Sequence, residues 1–154
     1  MKKAFILACL PALVLLSGCA GGPSLELPGL GLKDTEEEKI TRLLNDVHRA
    51  MQTRKLNQVM AHVSPDYLDQ EGRDYEGIRA YLDEIMKNYR AITIRRSVPT
   101  VIVEGDRARA LEAFGTRAEP DNDRTPPLNI QGQVSVFLVR EAGKWKIVEW
   151  GAIS

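Results

Sequence analysis

Cysteine is scarce in this chain: of 154 residues only Cys9 and Cys19 are cysteines, and both lie near the amino terminus. From residue 20 onward there is no thiol, which excludes disulfides and cysteine-based catalysis from that region. Its folded state must therefore be stabilised by its hydrophobic core.

The chain also lacks an excess of charge, since 21 basic residues face 21 acidic ones. A nucleic-acid-binding domain is usually basic overall or carries a basic stripe, and neither is present here. We therefore expect no nucleic acid as partner.

Several motifs of known chemistry are missing. The sequence has no nucleophile elbow, glycine-rich phosphate loop or metal-ligand cluster. His48 and His62 lie on different predicted helices, with no acid or cysteine at a spacing typical of zinc ligands. We expect no metal and no cofactor, and we assign both histidines to the surface or to helix packing.

Only one long apolar run is present, over residues 4–16, directly after Lys2 and Lys3. It is shorter than the roughly 20 residues that span a bilayer, and Pro11 disfavours a permanent membrane helix. A short basic segment, an apolar run and small residues in this order are typical of a secretory signal.

The run ends in Leu16-Ser17-Gly18-Cys19, which resembles the lipobox of bacterial lipoproteins. The resemblance implies cleavage between Gly18 and Cys19, a diacylglycerol thioether on Cys19, and acylation of the new amino group. These acyl chains would anchor the protein stably to a lipid membrane. Because Ala20 rather than aspartate follows, the family's sorting rule favours the outer membrane, facing the periplasm. An ordinary signal with a chance cysteine is the alternative.

The predicted organisation has three parts. Residues 1–18 form the signal peptide, and its removal would leave 136 residues with 19 basic and 21 acidic side chains, a size that suits one domain. Residues 19–34 hold the lipidated cysteine and a flexible tether rich in glycine and proline, with a reach of roughly 20 Å. The folded domain covers residues 35–154.

The first half of this domain has helical spacing. Thr35 and Glu38 form a predicted capping box, and an apolar stripe follows at Ile40, Leu43, Leu44, Val47 and Met51. A second, short helix is predicted over residues 56–62. A third follows Gly72, with an apolar stripe at Ile78, Tyr81, Leu82, Ile85, Met86 and Tyr89.

The second half reads as strands. Alternating and β-branched residues predict a meander with turns at Gly105-Asp106 and at residues 141–144, and a polar loop over residues 119–129. Arg107, Arg109 and Arg117 are predicted to share one sheet face. Helices followed by antiparallel strands indicate an α+β fold, with three helices packed on one face of a curved sheet.

This order of elements resembles the nuclear transport factor 2-like superfamily, which has a cone-shaped, cystatin-like α+β fold and includes ketosteroid isomerases and polyketide cyclases. The similarity is carried by "GRDYEGIRAYLDEI", "VEGDRARA" and "GKWKIVEW", over about residues 35–151. It implies the fold but not the activity, because the cone hosts enzymes, binding modules and assembly domains.

The resemblance also suggests a catalytic carboxylate. In the superfamily's enzymes an acid before the third helix often moves the proton, and Asp69 falls near that position, with Asp66 and Glu71 close by. Val47 and His48 stand where the isomerases carry a phenol, and their second aspartate has no counterpart. We favour the alternative that Asp66 and Asp69 are solvated loop acids that cap a turn.

Glu112 is the second candidate base. Strict alternation places it with Ala108, Ala110 and Phe114, inside the cone, where a buried carboxylate must be paired or protonated. A bulge between Arg109 and Glu112 would instead turn it outward, and we favour an outward position.

Two tryptophans complete the set of candidates. Trp145 and Trp150 are predicted on opposite faces of the last strand, because their separation is odd. The candidate pocket residues are Tyr67, Asp69, Glu112, Phe114 and Trp145.

Three functions compete. We favour a non-catalytic envelope lipoprotein whose cone binds a small apolar ligand or an envelope protein. The alternatives are an isomerase- or cyclase-type enzyme with Asp69 or Glu112 as base, and an assembly module that forms a homodimer through its outer sheet face.

Overall fold

A computed structural model describes residues 33–154. The predicted signal peptide and nearly all of the tether, together with Cys19, lie outside these residues. The described chain has three helices, α1 (Glu36–Gln52), α2 (Leu56–Met60) and α3 (Tyr75–Asn88), followed by five strands. The strands are β1 (Tyr89–Arg96), β2 (Thr100–Glu104), β3 (Arg107–Pro120), β4 (Leu128–Glu141) and β5 (Lys144–Trp150).

The predicted capping box of α1 is present. The Thr35 hydroxyl accepts from the backbone N–H of Glu38, whose carboxylate accepts from the backbone N–H of Thr35. This reciprocal pair satisfies two N–H groups that a helix start leaves free. The helix buries its predicted stripe, with Ile40, Leu43, Leu44 and Val47 in the core. The α2 helix ends at Met60, two residues before the predicted end.

The five strands form one antiparallel sheet in the order β1-β3-β4-β5. β2 also pairs with β3, but with its first residues, 107–111, whereas β1 pairs with residues 114–120. The main core lies between the helices and the face of β3, β4 and β5 that carries Ala110, Leu138 and Ile147. The predicted α+β fold is confirmed.

Both predicted strand turns are present. Gly105 lies between β2 and β3 with φ 62°, and Ala142 and Gly143 join β4 to β5 with φ 46° and 78°. Positive φ at these positions is typical of tight hairpin turns. Arg107, Arg109 and Arg117 are exposed on one face of β3, as predicted.

The prediction that Trp145 and Trp150 face opposite sides was wrong. In the pairing of β5 with β4, Ile147 lies opposite Leu138 and Glu149 opposite Phe137, so Val148 is an extra, unpaired residue. Such a bulge inverts the alternation beyond it. Both tryptophans therefore lie on the core side, Trp145 buried and Trp150 packed partly against the core.

Within the described residues no helix is long and apolar enough to cross a membrane.

Candidate functional site

A cavity of about 510 Å³ lies between the helices and the concave face of the sheet. Its buried wall includes Val47, Ile78, Leu82 and Glu112, and exposed residues such as Tyr81 and Ile153 form its rim. The volume falls in the range of about 300–1,000 Å³ that is usual for small-molecule sites. Further side chains in the wall are mostly apolar and include Met51, Ile94, Phe114, Val134 and Trp150.

A buried ion-pair cluster reaches the cavity wall through His48 and Glu112. Glu112 has a side chain only 1% exposed, and its Oε1 lies 3.0 Å from Nε2 of His48. Its Oε2 accepts a hydrogen bond of 2.8 Å from Arg96. Arg96 also donates to the side-chain oxygen of Asn45. We call His48, Glu112 and Arg96 the inner cluster.

Regular structure brings the inner cluster together. Asn45 and His48 are three residues apart on α1 and therefore lie on one helix face. On the sheet, Arg96 of β1 pairs with Phe114 of β3, which makes it the diagonal neighbour of Glu112. The cluster thus joins the first helix to two strands.

The protonation of the inner cluster follows from its partners. Nδ1 of His48 lies 2.5 Å from the carbonyl oxygen of Leu44, which can only accept, so this nitrogen carries a hydrogen. Burial acts to raise the pKa of the Glu112 carboxyl, but the hydrogen bond and charge of His48, with Arg96, hold that pKa below its ordinary value. Glu112 is therefore held by its contacts with His48 and Arg96.

A second buried carboxylate, that of Asp69, fixes the loop before α3. Its Oδ2 accepts from the Tyr67 hydroxyl at 3.0 Å and from Nε of Arg73 at 2.7 Å. Its Oδ1 accepts from the backbone N–H groups of Glu71 and Arg73. Burial acts to raise the pKa of Asp69, but the bonds from Arg73 and Tyr67 lower it overall.

Arg73 links this loop to the cavity rim. Its guanidinium lies 4.4 Å from the centre of the Tyr81 ring and pairs with Glu71, and all three residues line the cavity. Tyr67 packs its ring 5.6 Å from that of Trp150. The loop therefore supports the cavity wall without exposing Asp69 to the cavity.

The comparison with protein families agrees with this architecture. The SnoaL-like domain matches residues 40–152, most of the chain. The chain belongs to the SnoaL-like domain family. No curated protein sequence matches it significantly.

Solved structures show the same nuclear transport factor 2-like fold. A provisionally named scytalone dehydratase from Novosphingobium aromaticivorans superposes with a TM-score of 0.66 at 16% identity, covering 73% of this chain and 79% of that one. A nuclear transport factor 2-like superfamily protein from Salmonella enterica gives 0.65 at 18% identity, covering 75% and 87%. A type 2 hexachlorocyclohexane dehydrochlorinase gives 0.62 at 13% identity, covering 73% and 80%.

The predicted pocket residues of this SnoaL-like domain divide into two groups. Glu112 and Phe114 line the cavity. Tyr67 and Asp69 lie in the supporting loop, and Trp145 is buried elsewhere, where its indole N–H donates to Glu36 at 2.7 Å. The odd spacing predicted Trp150 on the opposite face of the strand from Trp145, but Trp150 is the tryptophan that lines the cavity.

Two expectations about acids were wrong. The favoured outward position of Glu112 required a bulge, but β3 pairs without interruption from Arg107 to Ala118 with β4, and Glu112 is buried. Asp69 caps the loop as expected, yet its side chain is fully buried rather than solvated, because Arg73 and Tyr67 cover it.

The partners of Glu112 were not identified from the sequence. The sequence indicates a surface or helix-packing role for His48, and no local pattern connects Arg96 to Glu112. A signal was present: a carboxylate on the buried face of a strand needs a cation, and His48 lies beside the apolar stripe of α1, next to Val47 and four residues after Leu44. In the described part of the chain, no group of three histidine or acidic side chains could hold a metal ion.

Proposed function

We propose that this protein binds small apolar molecules in its cavity and is held at the bacterial envelope by lipid on Cys19. The observation that supports binding is the open cavity of about 510 Å³ with a mainly apolar wall. Phe114 and Trp150 line this space and leave it unfilled. Apolar contact area in such a site supplies most of the binding free energy.

The pairing of both acids favours binding over catalysis. A general base needs a free lone pair and usually a pKa raised toward neutrality. Both oxygens of Glu112 and both oxygens of Asp69 accept hydrogen bonds, and the pKa of each is lowered. The lowered pKa makes each acid a weak proton acceptor, and the four hydrogen bonds of Asp69 also occupy its lone pairs.

Cavity filling tests the binding proposal. Thr116 lines the cavity and Arg117, the next residue of β3, is exposed on the opposite face. We expect Thr116→Trp to abolish the fluorescence enhancement of the neutral apolar dye N-phenyl-1-naphthylamine, and Arg117→Trp to leave it unchanged. Equal dye binding by both variants would show that the dye binds outside the cavity and would contradict the proposal.

The anchor is tested separately. Cells expressing the chain are labelled with a radioactive fatty acid and fractionated. We expect label on the wild-type protein in the outer-membrane fraction, and neither label nor membrane association for Cys19→Ser. Unchanged partitioning of Cys19→Ser would refute lipid anchoring.

A second candidate is an enzyme that moves a proton. The observation in its favour is that His48 and Glu112 both reach the cavity wall. Such an enzyme would incorporate deuterium from heavy water beside the carbonyl of an apolar ketone such as 2-decalone. Incorporation that NMR detects with the wild type and not with Glu112→Gln would establish this function in place of the first.

A further inference from the structure

The inner cluster carries an unbalanced charge. The contacts of His48 with Leu44 and Glu112 require hydrogens on both ring nitrogens, or one of them on the carboxylate. In either arrangement, His48, Glu112 and Arg96 together sum to one positive charge. This result does not depend on where the shared proton resides.

The surroundings provide little compensation for this charge. Apart from Glu112, the acidic residue in the cavity wall is Glu71, which is exposed at the rim and paired with Arg73. Asn45, the other partner of Arg96, is neutral. The side chains of His48 and Arg96 are only 19% and 13% exposed, so water screens the cluster weakly.

Arg96 also retains hydrogen-bonding capacity. Its guanidinium has five N–H donors, and in the described residues it donates to one oxygen of Glu112 and one of Asn45. His48 and Glu112 are the members of the cluster that line the cavity, so Arg96 acts on a bound ligand through its charge.

We propose that the cavity selects apolar molecules with a single acidic group, which enters first and lies against the inner cluster. This inference rests on the proposed binding function and adds the charge of the ligand. The negative group balances the cluster, while the apolar remainder contacts the apolar wall, which includes Val47, Leu82 and Phe114. A free monoacid fits this orientation, whereas the headgroup of a bilayer lipid cannot enter a cavity ahead of its chains.

A matched set of ten-carbon probes tests the charge selectivity. Decanoate, 1-decanol and decylammonium are titrated by calorimetry at pH 7 into the full chain. We expect decanoate to bind at least about tenfold more tightly than decanol, and decylammonium to bind most weakly. Vesicles of anionic phospholipid serve as a fourth arm and should not displace decanoate.

Removing either cation should remove the preference. Arg96→Gln and His48→Gln each make the inner cluster neutral, so we expect decanoate and decanol to bind within about twofold of each other. Arg95→Gln removes the same charge from the next, exposed residue of β1 and should keep the wild-type preference. Thermal unfolding of each variant, with decanol binding as a second readout, confirms that the cavity is intact.

The outcomes separate the two proposals. If decanoate and decanol bind the wild type equally, acid selectivity is refuted while apolar binding stands. If neither binds, the binding function fails, and the selectivity with it. If Arg96→Gln and His48→Gln both still prefer decanoate over decanol, the inner cluster does not recognise the acid. Displacement of decanoate by vesicles would assign the site to lipid headgroups.

Discussion

Replacing Glu112 by glutamine removes one negative charge from the inner cluster and keeps the shape of the side chain. Arg96 would then keep its charge without an anion beside it, and both Arg96 and His48 would face a neutral amide where they now contact the carboxylate at 2.8 and 3.0 Å. The amide oxygen can still accept from Arg96, but it supplies no negative charge to balance the guanidinium.

The expected cost follows from the burial of the pair. Removal of one partner of a buried ion pair typically costs about 3–5 kcal/mol. Because the side chains of His48 and Arg96 keep 19% and 13% of their exposure, water can solvate part of the unbalanced charge of Arg96. We therefore expect a loss of about 3 kcal/mol in the free energy of unfolding.

Urea denaturation measures this loss. With a slope of about 2 kcal/mol per molar urea, the midpoint should fall by about 1.5 M while the slope stays constant. The matched control is Glu119→Gln on the same strand, whose partner Arg90 and own side chain are both 66% exposed. An exposed pair contributes at most about 1 kcal/mol, so its midpoint should change little.

A loss below about 0.5 kcal/mol for Glu112→Gln, no larger than that of Glu119→Gln, would refute the reasoning, because a surface substitution costs that much. It would mean that water reaches the inner cluster and screens its charges. The inner cluster would then give no preference for an acidic ligand.

Three other predictions test the supporting structure. Asp69→Asn should lower the free energy of unfolding by about 2 kcal/mol and speed hydrogen exchange in residues 67–73, because it weakens the hydrogen bonds to Arg73. Asp66 is exposed in the same loop, so Asp66→Asn should change neither quantity. Gly132→Ala should displace the segment after β5 and make it more sensitive to proteolysis, because the new Cβ would lie 2.7 Å from a side-chain carbon and a backbone oxygen of that segment. In the control Gly115→Ala on β3, the new Cβ meets nothing within 4 Å. Equal proteolysis of the two variants would contradict the predicted contact. Folding lowers the pKa of Glu112 and of Asp69, so the stabilisation from each carboxylate is complete above its ordinary pKa, 4.5 or 3.8, and is lost as the pH falls through the lower folded pKa. Acid titration followed by circular dichroism should therefore show a shallower loss of folded protein for Glu112→Gln than for the wild type. Superimposable curves would contradict this pH dependence.

Local signals in the sequence were sufficient for most of the fold. The capping box of Thr35 and Glu38 and the apolar stripe of α1 depend on residues three or four apart, and the structure reproduces both. The same holds for the turns at Gly105 and Gly143, where the backbone adopts positive φ. These features are predictable because neighbours in the sequence determine them.

The site depends on long-range contacts, and there the sequence was less informative. Alternation alone placed Glu112 inside, but the choice between inside and outside required its partners, which come from positions 48 and 96. Asp69 is covered by its own loop, whose closure depends on Arg73. The reversal at Trp150 arises from one unpaired residue, Val148, which shows only in the pairing with β4.

The most direct test of the central claim is a crystal structure of the full chain grown with decanoate. We predict continuous density in the cavity, with the alkyl chain against Phe114 and Trp150 and the carboxylate toward His48 and Arg96. A cavity that is closed by its own side chains, with decanoate absent or bound only outside it, would contradict the account.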